Sequence, residues 1–276
     1  MKRIFVLTFL FAALTSFGCT GKTVLNPMVP TPSATPAANQ NIAKTPVPAD
    51  TTPKTVSIES KDGVKIAGTL YPAAATSSPA VLMLHQWMSD RHSYDDLAKR
   101  MQAKGFAVLT IDGRGFGESA KAADGTAIAP SKSDESVAGM KADVDAAFEF
   151  LSKQDNVSPT RMGIAGASYG SSLALICAAD NEKVRAVALL SPGVNYFGNM
   201  PTEPAVRKYG NRALLLVAAD DDKESAASVK KLKDAGASER HEVKIYPKGG
   251  HGTGLFGAGV GLEDLIEAFF EKNLAN

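Results

Sequence analysis

Short, continuous apolar runs recur along this chain, separated by longer stretches whose apolar positions fall three and four residues apart. Ala80–His85 (AVLMLH), Phe106–Asp112 (FAVLTID), Arg161–Ala167 (RMGIAGA), Val184–Leu190, Ala213–Ala218 (ALLLVA) and His241–Tyr246 have strand length. Most lack the alternation of a half-exposed strand, which suits strands buried on both faces. Ahead of them, Thr55–Ser60 and Val64–Tyr71 do alternate and flank Lys61-Asp62-Gly63, the pattern of a hairpin. Between the runs, Val137, Met140, Val144, Phe148 and Leu151 mark one apolar face and predict a helix over 136–153. Further helices are predicted over 93–104, with Ser93 and Asp96 as a capping box and Gly105 as the stop, and over 169–179. The last two are 225–235, ended by Gly236, and 261–274. Strands alternating with amphipathic helices predict an α/β fold: a mainly parallel sheet of about eight strands with helices on both faces. In such sheets, ligands bind beyond the carboxyl ends of the strands, so the residues just after each strand carry the chemistry.

Composition narrows the classes. The 30 Lys+Arg and 29 Asp+Glu leave a formal charge of +1, without the basic excess of a nucleic-acid binder. Two cysteines cannot make a disulfide scaffold, and four histidines with them leave little for a His/Cys zinc site. No metal and no organic cofactor is expected.

The N-terminus reads as an export signal. Met1-Lys2-Arg3 precedes an apolar run from Ile4 to about Phe17, shorter than the roughly 20 residues of a membrane-spanning helix. The run closes on Ser16-Phe17-Gly18-Cys19, which resembles a bacterial lipoprotein processing site, although that pattern favours Leu where Ser16 stands. The resemblance implies that residues 1–18 are removed and that Cys19 is lipidated. The protein would then be exported and lipid-anchored in the cell envelope, with a membrane as its partner. An ordinary cleaved signal followed by an incidental Cys fits the same run. Without residues 1–18, 28 basic side chains face 29 acidic ones, a formal charge of −1. Residues 19–54, rich in Thr, Pro and Ala, have too few large apolar side chains to offset chain entropy and read as a disordered tether. The folded domain is 55–276. Its Cys177 lies in an apolar helical stretch and reads as a buried, inert thiol.

The predicted strand ends hold three chemically suggestive groups. Ser168 sits in Gly166-Ala167-Ser168-Tyr169-Gly170, a G-x-S-x-G string between strand and helix, where small residues permit a sharp turn around a strained Ser. A serine hydroxyl needs a base. His251, in Lys248-Gly249-Gly250-His251-Gly252 after the last strand, is the best placed; His241 opens a strand and is expected to face solvent, and His92 lies in a polar segment. The base needs an orienting acid, and Asp220-Asp221-Asp222 follows the ALLLVA strand. One of the three fits that role while the others face water or cap the next helix.

Ser, Asp and His in this order at successive strand ends resemble the α/β-hydrolase superfamily, over essentially all of 55–276. Leu84-His85-Gln86-Trp87 resembles its oxyanion loop, with Gln86 where Gly is common. Asp112-Gly113-Arg114-Gly115-Phe116-Gly117-Glu118-Ser119 is similar to its D-x-R-G-x-G-x-S segment, and Tyr246 to Gly252 looks like its catalytic-His loop. The resemblance is strongest to lidless, dienelactone-hydrolase-like and small-esterase members. It implies Ser168 as nucleophile, His251 as base and Asp222 as acid, three residues after Ala219, with Asp221 as second choice. It also implies an oxyanion hole from the backbone N–H groups of Trp87 and Tyr169. His85, Asp112 and Arg114 then read as loop braces. The implied activity is hydrolysis of carboxylic esters on small-molecule acyl substrates through an acyl-enzyme. Thioesterase, dienelactone-type or peptidase action, or non-catalytic binding on the same fold, are the alternatives. The twenty or so residues between Leu190 and Ala213 leave no room for a cap domain, although Tyr196, Phe197 and Met200 could line a pocket.

Overall fold

A computed structural model of the chain describes Gly18, Gly21, Lys22, residues 50–122 and residues 124–274. The predicted export signal up to Phe17, Cys19 and most of the predicted tether lie outside the described residues. Residues 47–276 form one compact unit.

The hairpin comes first: β1 (Lys54–Glu59) and β2 (Lys65–Tyr71) pair antiparallel, Ile58 opposite Ile66. The strands β3 (Ser78–Leu84), β4 (Ala107–Ile111), β5 (Val157–Ala167) and β6 (Val184–Leu190) follow. A two-residue pair, β7 (Asn195–Tyr196) and β8 (Met200–Pro201), stands apart, and β9 (Ala213–Ala219) and β10 (His241–Tyr246) complete the sheet. The eight-stranded order is β1-β2-β4-β3-β5-β6-β9-β10, parallel from β4 to β10. All five residues of β4 and all seven of β9 are buried, as continuous apolar runs require.

Helices cover both faces. On one side, α1 (Asp95–Ala103) and α6 (Leu262–Leu274) pack Leu97, Met101, Ile266 and Phe270 against Val81, Met83 and Leu215. The other face is covered by α2 (Asp134–Ser152), α3 (Tyr169–Asp180), α4 (Thr202–Tyr209) and α5 (Lys223–Gly236). There Met140, Val144, Leu173, Val206 and Val229 meet Leu82, Ile164, Val187 and Leu216. No cap domain is inserted after β6: residues 191–212 hold only β7, β8 and α4.

Several local expectations are corrected. The Ser93–Asp96 capping box does not form. Asp90 accepts the His92 N–H (2.9 Å) and starts a 3-10 turn, Arg91–Tyr94, before α1, so Ser93 falls inside that turn and donates to the Asp90 carbonyl instead. Gly236 does end α5, as its last residue, and the left-handed cap falls on Ala237 (φ 45°). His241 does not face solvent. It is buried, its Nε2 bonded to the Gly210 carbonyl (2.9 Å), because the C-terminal ends of α4 and α5 close over it. Met200 is wholly buried against the α2–α5 layer and lines no open pocket.

Candidate active site

The parallel register brings Leu84, Ile111 and Gly166 level, and Ala167 level with Leu190. Residues immediately after β3, β5, β6 and β9 therefore emerge along one rim. Ser168 leaves β5 at φ 54° and ψ −124°, a backbone region costly for a residue with a side chain. Its N–H is held by the Leu190 carbonyl (2.8 Å). The flanking glycines are steric necessities. A Cβ on Gly166 would collide with the Gly170 carbonyl, and one on Gly170 would lie 2.5 Å from the His85 carbonyl and 2.7 Å from that of Leu84. Gly170→Ala is accordingly expected to cost about 3 kcal/mol, the upper end for overpacking, because its obstacles are backbone atoms that cannot rotate away. A urea-unfolding midpoint measured against the native chain checks this, and an unchanged midpoint would contradict the close approach.

The Ser168 Oγ lies 2.7 Å from Nε2 of His251, and Nδ1 of His251 lies 2.7 Å from Oδ2 of Asp222. The serine is 6% exposed, whereas the His251 side chain is 44% and the Asp222 side chain 13% exposed. The three groups thus form one hydrogen-bonded line from a nearly buried hydroxyl to an open rim. Burial works against the Asp222 charge, yet hydrogen bonds from Ser225 and His251 outweigh it and hold the carboxyl below its ordinary value. Asp222 also caps α5, accepting the Ser225 N–H.

Asp221 takes a different part. Its carboxylate accepts the N–H groups of Gly249 and Gly250 (3.1 Å each), and these two bonds lower its pKa. Asp220 points into solvent. The loop carrying His251 is held further along as well. The Gly252 N–H donates to Ser191 Oγ (2.8 Å), and the Thr253 N–H to Gln86 Oε1 (2.9 Å). Sequence reasoning did not single out Ser191, or the side chain of Gln86 as an acceptor. The available signal was positional: Ser191 directly follows buried β6, and Gln86 lies two residues past buried β3.

Tyr169 opens α3, and Trp87 follows the end of β3 by three residues. Among the described residues neither N–H makes a backbone hydrogen bond outside the regular elements. The rings around them interlock, with Trp87 edge-on to Phe116 (4.9 Å), Tyr169 (5.4 Å) and Phe197 (4.8 Å). Along the other side, a groove of about 450 Å³ borders His251 and Asp222, walled by Tyr196, Asn195, Glu224 and Lys231.

His85, Asp112 and Arg114 stand beneath this rim. Nε2 of His85 accepts the Gly113 N–H (2.9 Å), so the proton is on Nδ1, which donates to the Gln86 carbonyl (2.7 Å). Burial disfavours the charged form of His85 and lowers its pKa. Asp112 is buried against the Arg91 guanidinium and accepts the N–H groups of Arg91 and Glu118 (2.8 Å each). Arg114 forks onto Asp143 (2.8 and 2.6 Å) and reaches Asp62. Cys177 is buried away from the rim, which pushes its thiol up. Among the described residues, no group of three or more His, Cys, Asp or Glu side chains is arranged to hold a metal ion.

The model of the dienelactone hydrolase family matches residues 66–254, more than half of the chain. The chain belongs to the dienelactone hydrolase family. As a family member it is a hydrolase, and its architecture is the α/β-hydrolase fold. An uncharacterized protein of Mycobacterium tuberculosis is 27% identical over 213 residues, 71% of each chain. The dienelactone hydrolase of Anabaena variabilis is similar in structure, with a TM-score of 0.63 at 20% identity over 81% of this chain and 98% of that one. An esterase of Pyrococcus furiosus gives a TM-score of 0.65 at 16% identity, covering 81% of this chain and 94% of the other.

Proposed function

We propose that this dienelactone hydrolase family member cleaves carboxylic esters through an acyl-enzyme on Ser168. The reading rests above all on the two 2.7 Å contacts that join Ser168, His251 and Asp222. In this mechanism Ser168 Oγ attacks the ester carbonyl as Nε2 of His251 takes its proton. Asp222, at Nδ1, holds the ring in the tautomer that leaves Nε2 free and stabilises the imidazolium. The carbonyl oxygen gains charge between the N–H groups of Trp87 and Tyr169, each such donor being worth about 3–4 kcal/mol of barrier. The C–O bond to the alcohol breaks as His251 returns the proton to the leaving oxygen. Water then repeats the attack on the acyl-Ser168, His251 again acting as base, and releases the acid.

Thioesters and lactones obey the same steps, but the ordinary ester is the simplest substrate an open rim accepts. The exposure of His251 and the missing cap domain support small or flexible acyl groups over one enclosed molecule. A series of p-nitrophenyl esters from acetate to dodecanoate tests this, with a matched thioester and lactone alongside. The expected result is turnover of esters with kcat/KM highest at short chains. Absence of turnover across the series would count against ester hydrolysis, and a maximum at the long chains against the open acyl site.

A further inference from the structure

The His251 loop departs from β10, yet His251 must reach a serine at the end of β5. Strand β10 stands four places from β3 in the sheet, roughly 19 Å at the usual 4.8 Å strand spacing. Once past β10 the loop has no strand ladder to guide it. Its amides are instead taken by side chains: Asp221 on Gly249 and Gly250, Ser191 on Gly252, and Gln86 on Thr253. Of these, the Gln86 bond reaches farthest, joining the β10 side of the sheet to the loop after β3.

Gln86 is also the residue whose carbonyl shares a peptide group with the Trp87 N–H. That carbonyl accepts from Nδ1 of His85 (2.7 Å) and from the Ser89 N–H (3.2 Å). Because a peptide group is planar and trans, fixing the carbonyl on one side fixes the Trp87 N–H on the opposite side. The side-chain oxygen of the same residue accepts both the N–H (2.9 Å) and the hydroxyl (3.2 Å) of Thr253, two residues beyond His251. The fit leaves no slack: a Cβ on Gly252 would strike Gln86 Oε1, and Gly252 lies at φ 60°, where glycine is favoured. One residue therefore holds the frame of a candidate oxyanion donor with its backbone and the loop of the candidate base with its side chain.

We infer that Gln86 is a positioning residue that sets the distance between the oxyanion donor at Trp87 and the imidazole of His251. The inference deepens the ester-hydrolase reading and rests on Ser168 being the nucleophile. It accounts for a long amide at a place where the resembling oxyanion loops commonly carry Gly. A glycine there leaves the Thr253 N–H without this acceptor and the two loops without their cross-tie.

Two substitutions of similar length separate the hydrogen bond from mere bulk. Gln86→Met keeps the chain length and removes the strong acceptor; Gln86→Glu keeps an oxygen able to accept from Thr253. Misplacing reacting groups by about an ångström costs on the order of 100-fold, so Gln86→Met is expected to lower kcat about 10- to 100-fold. KM should change less than about two-fold, because the substrate's own contacts are untouched. The rate of fluorophosphonate labelling of Ser168 should fall in step with kcat, and Gln86→Glu should recover most of the loss. Hydrogen exchange at the Thr253 amide supplies a readout independent of turnover: protection is lost in Gln86→Met and kept in Gln86→Glu. Should Gln86→Met fail to fold, Gln86→Ala, which only leaves space at a half-buried position, reads the same quantities. The inference is overturned if the acceptor-free variant keeps native kcat, if the Glu variant loses as much, or if the loss lies wholly in KM. Native protein that neither turns over esters nor reacts with fluorophosphonate would instead refute the nucleophile assignment, while Thr253 exchange would still report whether Gln86 ties the loops.

Discussion

Ser168→Ala is expected to abolish ester turnover, with kcat down about 10⁶-fold, the scale set by removing a serine nucleophile that works in concert with its base. The loss cannot be attributed to unfolding. Alanine places the same Cβ at φ 54° and removes only Oγ, which is hydrogen-bonded to His251 Nε2. In the proposed mechanism a residual rate over water of about 10³-fold remains, supplied by the amides of Trp87 and Tyr169. Labelling gives the sharper test. A fluorophosphonate forms an O–P bond to a reactive serine and expels fluoride, so native protein gains one adduct on the peptide holding Ser168 and the variant gains none. Cys177 offers no substitute nucleophile, being buried with its thiol pushed up. A variant that hydrolyses esters at the native rate would end the acyl-enzyme mechanism here.

Exchanging the acids in turn should separate two roles that their adjacency conceals. Asp222→Asn is expected to lower kcat about 10⁴-fold, since an amide at Nδ1 favours the wrong tautomer and cannot stabilise the imidazolium. Asparagine caps helices as well as aspartate does, so the cap on α5 survives and the variant stays folded, short only of what the Asp222 charge contributes. Asp221→Asn trades one of two loop bonds for a mismatched NH₂ group and is expected to cost only about five-fold, the worth of one ordinary hydrogen bond. Equal losses in the two variants would refute this division. Both carboxyls have lowered pKa values in the fold. Their contribution to stability is therefore complete above the ordinary carboxylate value of about 4 and is lost as pH falls through the lowered folded values. Acid unfolding curves should show it: the native chain loses stability below about pH 4, and Asp222→Asn shows a shallower loss over the same range.

Much of this was legible in the chain. Continuous apolar runs can be buried only in a sheet covered on both faces, so β3, β4, β6 and β9 could be read directly. The glycine spacing around Ser168 registers a steric demand that any backbone turning so sharply would impose. What could not be read were contacts whose partners lie far apart in sequence. His241 looks like a solvent-facing strand opening until α4 and α5 close over it. The Ser93–Asp96 pair looks like a cap until Asp90 starts the turn earlier. Gln86 looks like a departure from a glycine position until Thr253, 167 residues later, arrives at its side chain.

By itself the sequence determined which segments become strands of the main sheet, though not the short β7 and β8, and where along the chain, and in what order, a hydroxyl, an acid and an imidazole would emerge. Those are consequences of local periodicity and steric demand, which act within a few residues. The division of labour between Asp221 and Asp222 was left to the tertiary structure, as were the burial of His241 and Met200 and the tie from Gln86 to Thr253. Each depends on which groups meet when parallel strands, set in register, bring distant loops onto one rim, and a hydrogen bond of about 3 Å has no counterpart in spacing along the chain.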